Sequence, residues 1–450
     1  MRVLTIDMPA LGNRCHLVHD GRFAVVVDPP RGTSDVERVA ESEEVEIVAV
    51  ADTHVHNDYL SGALGLARRH GADYLLAADE AVEFERVGVR HGDVLRYGGL
   101  EVEVIATPGH TRYHQSFLAG MPGDAAALFS GGSLLDGTVG RTDLVDPRLA
   151  RRLAEAQWTS ARLQGRLQPT TVVHATHGYG SFCAAGGATA TDAPPTIGDH
   201  LAAHPALTTE REAFMSELVA GYGPVPAYYA QMAALNRKGA GSSTPLPARP
   251  ATAEQVSDAV LAGAWVIDLR DRSAYAGAHV PGSVSVEYGR QFATYVGWLV
   301  PWGDDIVLVT DSPTVLEPAL RELADIGIDG VGARVLTEED PTTASYRRAD
   351  WEDFLAAGTA AVVVDVRHSD EWERGHLPGA RHLPVHEIEE AGTGLPPGEL
   401  WVHCQSGYRA GIAASLLHRM GRDVVHIDDS WDRVSELAIR TTSAAAASAA

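Results

Sequence analysis

EIVAVADTHVHNDY, residues 46–59, opens as a β-type run and closes on a cluster of metal-binding side-chain types. Alternate residues of an extended segment face the same way, so His54 and His56 share a side and Asp58 follows at the turn. Two imidazoles and a carboxylate on one short arc make half of a metal site. The strand-like LEVEVIAT leads into Thr107-Pro108-Gly109-His110-Thr111, and another β-type run leads into His177 of VVHATHGYG. Each position falls where a strand gives way to a Gly-containing turn, the place where ligands from different strands converge. His54, His56, Asp58, His110 and His177 are therefore the candidate ligands, whereas His70, His114 and His174 read as surface or core histidines. Asp58 has a second reading as the N-cap of the helical stretch SGALGLARR.

Around this stretch, residues 1 to about 120 alternate β-type runs with helical segments, an α/β pattern. Residues 236–253, NRKGAGSSTPLPARPATA, are too rich in Gly, Ser and Pro for a helix or central strand and mark a boundary. Beyond it the chain repeats itself. Asp268-Leu269-Arg270, Tyr275 and His279-Val-Pro-Gly282 recur 97 residues later as Asp365-Val366-Arg367, Trp372 and His376-Leu-Pro-Gly379. Each copy has the size of a small α/β domain with a parallel sheet. The expected division is 1–245, 246–345 and 346–440, with 441–450 a disordered tail.

In the second copy the strand-like ELWVH runs into Cys404-Gln405-Ser406-Gly407-Tyr408-Arg409 and then into the helical AGIAASLLHRMG. That order sets the sulfur over a helix N-terminus, where unpaired N–H groups and the positive dipole end favour a thiolate. Gly407 lets the backbone curl around the sulfur, and Arg409 offers a fixed fork of donors to an anionic sulfur substrate. A phosphatase loop is the competing reading, but this cradle is short. The corresponding stretch of the first copy, IVLVTDSPT, has no cysteine.

With these motifs in place, residues 250–440 resemble a tandem of rhodanese domains, and the C-x-x-G-x-R loop resembles that of active rhodaneses. The resemblance implies that Cys404 accepts sulfane sulfur as a persulfide, that the first copy is inactive, and that Asp365 and Arg367 belong to substrate binding. Residues 1 to about 190, with T-H-x-H-x-D, T-P-G-H-T, G-R-T-D and a late H-G, resemble the metallo-β-lactamase superfamily. The fold implied is an αββα sandwich followed by two rhodanese-like α/β domains with parallel sheets. The fusion resembles persulfide dioxygenases, which oxidise a thiol persulfide to sulfite at one ferrous iron. The sequence departs from the superfamily at Tyr59, where a histidine is usual, and at Gly132, where a carboxylate ligand is usual. A two-metal hydrolytic centre is therefore not expected, and a single metal is, with Fe(II) favoured and zinc possible. The alternatives are a zinc-dependent glyoxalase II-like thioester hydrolase and a metal-poor sulfur carrier in which only Cys404 reacts.

Composition narrows the partners. A formal charge of −24 repels phosphate backbones, so nucleic acid is not expected. The N-terminal stretch lacks the apolar run of a signal peptide, and no segment reads as a membrane span, which implies a cytoplasmic protein. Three widely spaced cysteines, Cys15, Cys183 and Cys404, do not form a disulfide scaffold. Cys183 reads as a buried structural thiol. The expected partners are a low-molecular-weight thiol persulfide and sulfite or thiosulfate, with a homo-oligomer possible.

Overall fold

β1 (Arg2–Met8) and β2 (Asn13–His19) form an antiparallel hairpin with Arg2 opposite His19. β3 (Phe23–Val27) continues it antiparallel, and β4 (Glu46–Ala51), β5 (Asp73–Ala77) and β6 (Val87–Val89) then add in parallel, giving the order β1-β2-β3-β4-β5-β6. A second sheet is ordered β11-β10-β9-β8-β7, from β7 (Val94–Tyr97), β8 (Leu100–Ala106), β9 (Gln115–Gly120), β10 (Ala127–Gly131) and β11 (Val172–Ala175). Its pairs are antiparallel except β10 with β11.

The inner faces of the two sheets meet in one core, where Val25, Val27, Ala49 and Leu75 pack with Val102, Val104, Phe117 and Phe129. The helix Ala63–His70 buries Leu66 and Ala67 on the outside of the first sheet. On the outside of the second, the helices Ala150–Gln164 and Arg211–Ala220 supply Ala154, Ala161, Phe214 and Leu218 to a second core with Leu128 and Val173. This is the αββα sandwich the resemblance implied.

The structure describes residues 1–178, 180–186, 193–239, 246–358 and 362–443 of this computed structural model. They fall into two units, Met1–Leu246 with Arg321–Ile328, and Pro247–Leu320 with Asp329–Ala450. The second unit holds two sheets. β12 (Arg249–Pro250), β13 (Trp265–Asp268), β14 (Val284–Ser285), β15 (Ile306–Thr310) and β16 (Gly332–Val335) form the order β12-β16-β15-β13-β14. β17 (Arg347–Ala349), β18 (Val362–Asp365), β19 (Arg381–His382), β20 (Leu400–His403) and β21 (Val424–Ile427) repeat it as β17-β21-β20-β18-β19. All pairs are parallel. The repeat seen in the sequence is thus a repeat of topology.

Of the boundary stretch, residues 240–245 lie outside the described residues; before them a helix runs to Lys238, and Pro250 sits on an edge strand, where a missing N–H is tolerated. Of the tail expected to be disordered, 444–450 lie outside the described residues. The part before it is not loose, since Thr442 and His376 exchange both backbone hydrogen bonds, at 2.8 and 2.9 Å. No helix among the described residues is long and apolar enough to cross a membrane.

Candidate metal centre and cysteine loop

The ends of β4, β8, β10 and β11 send their loops to one place. His54, His56 and Asp58 follow β4, His110 follows β8, Gly132 follows β10 and His177 follows β11, and the five ligand candidates are at most 1% exposed. The ligand atoms of His54, His110 and His177 lie within 4.8 Å of one another, as do those of His56, Asp58 and His177.

Hydrogen bonds fix which ring nitrogens carry lone pairs. His110 Nδ1 donates to the carbonyl of Arg141 at 2.8 Å, and His177 Nδ1 donates to Asn13 Oδ1 at 3.0 Å. Thr53 gives its hydroxyl proton to Asp28 at 2.8 Å, which leaves its oxygen to accept from His54 Nδ1 at 2.9 Å. In each neutral ring the Nε2 is then the acceptor. His54 Nε2 and His177 Nε2 face each other at 3.3 Å, and His110 Nε2 is buried with no partner. Two ring nitrogens this close need a proton or a cation between them, and the buried His110 Nε2 beside them has neither; the donor set fits one metal ion. His56 is turned so that Nε2 meets Asp28 Oδ1 at 3.2 Å, beside the Tyr59 hydroxyl at 3.0 Å, leaving Nδ1 buried and unpartnered. Asp58 Oδ1 is likewise buried without a partner, while Oδ2 accepts from Asn13 at 2.6 Å. The helix N-cap reading of Asp58 is not met, because Gly62 caps that helix.

Burial, then the neighbouring imidazoles, pushes His54 and His110 well below the usual histidine range, which keeps them neutral as ligands must be. Burial works against the charge of Asp58, but His177 and Asn13 outweigh it and hold the carboxyl below its usual range. His114, set aside in the sequence, stands inside the site as a brace. It stacks on His54 with ring centroids 4.9 Å apart, accepts from Gly132 N at 2.9 Å and meets Thr107 Oγ1 at 2.8 Å. Asn13 and Asp28 were also missed. Asp28 ends the run FAVVVD, so an acid closing a buried strand was the available signal. His174 packs on Phe129 and His70 meets Glu37 at the surface, both outside the cluster. Cys183 and Cys15 are fully buried, and burial followed by nearby carboxylates raises both thiols well above the ordinary range.

In the second unit, Cys404 follows β20, Gly407 caps the helix Tyr408–Arg419 at φ 86°, and the sulfur sits in the loop at the helix start, 1% exposed. A side chain at 407 would overlap Asp428. Trp431 N donates to Gln405 O and His426 Nε2 donates to Gly407 O, both at 2.9 Å, pinning the loop. The fork of Arg409, expected to meet an anionic sulfur substrate, is engaged by an acid at its two terminal nitrogens. These donate to the two oxygens of Glu371 at 2.6 and 2.8 Å, a partner that the sequence did not point to.

Asp365 and Arg367, expected at substrate binding, engage each other. Arg367 is 2% exposed, pairs with Asp365 at 2.6 Å, donates to Gly375 O at 2.7 Å and lies over the Trp431 ring at 3.8 Å. Asp268 and Arg270 close on each other in the same way, with Ala278 O as the third partner. In that first half Asp268 pairs with Val309 as Asp365 pairs with His403, so Thr310 stands where Cys404 stands.

A rhodanese-like domain model matches residues 349–437, which contain Cys404. The chain is 34% identical over 147 residues to a hydroxyacylglutathione hydrolase of Synechococcus sp., covering 31% of this chain and 56% of that one. It is 32% identical over 180 residues to a hydroxyacylglutathione hydrolase of Cereibacter sphaeroides, covering 39% and 66%. The chain thus spans less than two thirds of the length of these relatives. A crystal structure of a metallo-beta-lactamase from Staphylococcus aureus subsp. aureus COL matches with a TM-score of 0.66 at 25% identity, over 74% of this chain and 98% of that one. The architecture is a metallo-β-lactamase fold with a rhodanese-like domain at its C-terminal end.

Proposed function

We propose that this chain is a sulfur-metabolism enzyme with two centres: a mononuclear metal site that oxidises a low-molecular-weight thiol persulfide to sulfite, and a rhodanese-type cysteine that carries sulfane sulfur. The observation that carries the reading is the pairing of a three-imidazole donor set with Gly132, whose position is closed to the carboxylate a second cation would need. His54, His110 and His177 would hold one metal, with His56 and Asp58 beside them. Ferrous iron, when bound there, would supply a centre at which O₂ and a sulfur ligand meet, and a donor set of three imidazoles suits it.

The chain's own residues set the conditions. Arg141 O, Thr53 and Asn13 lock the ring tautomers, and burial keeps bulk water from the donors. At the other centre, Cys404 attacks the sulfane sulfur of a donor such as thiosulfate; the new S–S bond forms at Cys404 as the donor's S–S bond breaks and its electron pair leaves on sulfite. The pinned loop presents its N–H groups to the resulting anion. The cysteine-free first half of the second unit is, in this reading, an inactive rhodanese copy.

The test is O₂ uptake and sulfite release by air-protected, iron-loaded protein given glutathione persulfide. Stoichiometric uptake is expected, and none would overturn the dioxygenase assignment. The second reading, a thioester hydrolase, is favoured by the similarity to hydroxyacylglutathione hydrolases. It predicts O₂-independent cleavage of a hydroxyacylglutathione by the zinc-loaded protein.

A further inference from the structure

Helix Phe292–Leu299 belongs to the half of the second unit that has no cysteine, yet all eight of its residues are buried. A helix buried on every side is covered by more than its own sheet, and here the additional cover comes from the cysteine-bearing half. Tyr295 lies against Tyr408 of the cysteine loop, ring centroids 5.7 Å apart. Trp298 stacks on His386 at 4.7 Å and on His368 at 5.9 Å. The same seam is tied by Tyr408, whose hydroxyl donates to Glu287 O at 3.2 Å, and by Arg272, which bridges Glu287 and Asp428, both at 2.6 Å. Asp428 is the residue against which Gly407 packs.

Tyr295 is the anomaly in this seam. It is 1% exposed, and no group among the described residues hydrogen-bonds its hydroxyl. A hydroxyl left without a protein partner in so enclosed a place recurs where a ligand supplies the bond. Its ring is seated on Tyr408 of the cysteine loop, and the charged or nucleophilic groups whose fields act on it are Arg409, Cys404 and Glu371. The two terminal nitrogens of Arg409 are engaged by Glu371, which takes up the guanidinium groups nearest at hand for the sulfur. Burial raises the Tyr295 hydroxyl above the ordinary phenol range, with Arg409 opposing, so it remains an O–H donor at neutral pH.

We propose that Tyr295, from the cysteine-free half, donates its hydroxyl hydrogen bond to the terminal sulfur anion of a Cys404 persulfide, so that the two halves build one sulfur-transfer site. The inference rests on the reading of Cys404 as a persulfide carrier. No proton changes hands in this contact. When an acceptor thiolate or cyanide attacks the terminal sulfur, the Cys404 S–S bond breaks, its electron pair stays on Cys404, and the tyrosine hydrogen bond is released with the product.

The experiment uses the full chain with thiosulfate as donor and cyanide as acceptor, following thiocyanate release and, by mass spectrometry, the single sulfur added to Cys404. Tyr295→Phe keeps the ring and removes a hydroxyl that has no partner in the resting protein. Its melting temperature should be unchanged or higher, while persulfide formation and turnover fall by roughly 10- to 100-fold, the range of a lost hydrogen bond to a charged group. A purely structural tyrosine would instead lower stability and leave the turnover of the folded fraction intact. Wild-type turnover and persulfide lifetime in Tyr295→Phe, with Cys404→Ser inactive, would overturn the inference and leave the carrier reading standing. Failure of wild-type Cys404 to gain sulfur would overturn both.

Discussion

The imidazole of His110 fills the space into which any side chain at Gly132 would have to extend. The ring is held there from the far side too, since a Cβ at Gly140 would come within 2.6 Å of His110 Nδ1, and Nδ1 is itself engaged by Arg141 O. The absent carboxylate is therefore part of how the site is packed. Gly132→Asp, which would restore the acid on paper, should displace His110 and lower metal content below that of the wild type. Gly132→Ala should cost about 1–3 kcal/mol of stability from overpacking. Elemental analysis and urea unfolding check these outcomes, and a Gly132→Asp protein holding two metals would refute the packing argument.

Asn13 joins two candidate ligands, donating to Asp58 and accepting from His177. Asn13→Ala frees both side chains and removes the acceptor that fixes the His177 tautomer. Metal affinity should fall by roughly 10- to 100-fold, the usual consequence of losing a residue that orients ligands. Competition with a chromophoric chelator measures it, and an unchanged affinity would remove Asn13 from the site.

Much of this was legible in the residues, for identifiable reasons. Ligand candidates at strand ends were visible because β-periodicity and turn residues place them, and His54, His110 and His177 do converge. The tandem was visible because Asp-x-Arg and Pro-Gly recur at one spacing. The mutual engagement of Asp365 and Arg367 was not legible, because a signature marks a position and not its contacts. Their carboxylate and guanidinium close on each other, as Asp268 and Arg270 do. Glu371 and Tyr295 carried no local pattern. Glu371 reaches Arg409 from 38 residues away and Tyr295 reaches the loop from the other half, relationships that only tertiary packing creates.

The Glu371–Arg409 pair gives a pH prediction. The side chains are 15% and 12% exposed. Burial raises the Glu371 carboxyl, but Arg409, through its hydrogen bonds and charge, more than offsets this and holds it below the ordinary range. Its folded value thus lies under the unfolded one of about 4.3, so the stabilisation is fully present above that pH and is lost as pH falls through the folded value. Glu371→Gln should flatten this acid limb and cost about 3 kcal/mol at neutral pH, because it leaves Arg409 unpaired. Unfolding curves taken across a pH series test it; an acid limb identical to wild type would contradict the assignment.

Thr310 stands at the position of Cys404 in the other half, which allows the loop and the nucleophile to be separated. Behind Cys404 come Gly407 and a twelve-residue helix. Behind Thr310 come Ser312, bonded back to the Thr310 hydroxyl at 3.1 Å, and Pro313, which has no N–H to offer an anion. If the sulfur chemistry depends on the amide-lined loop, a cysteine alone does not create it. The double variant Thr310→Cys, Cys404→Ser should show no thiosulfate-to-cyanide transfer, at a level indistinguishable from Cys404→Ser alone, although its new thiol titrates with a disulfide reagent once the protein is unfolded. Recovery of transfer to within about tenfold of wild type would mean that the thiol suffices and that the loop contributes less than one factor of ten, about 1.4 kcal/mol, to the barrier.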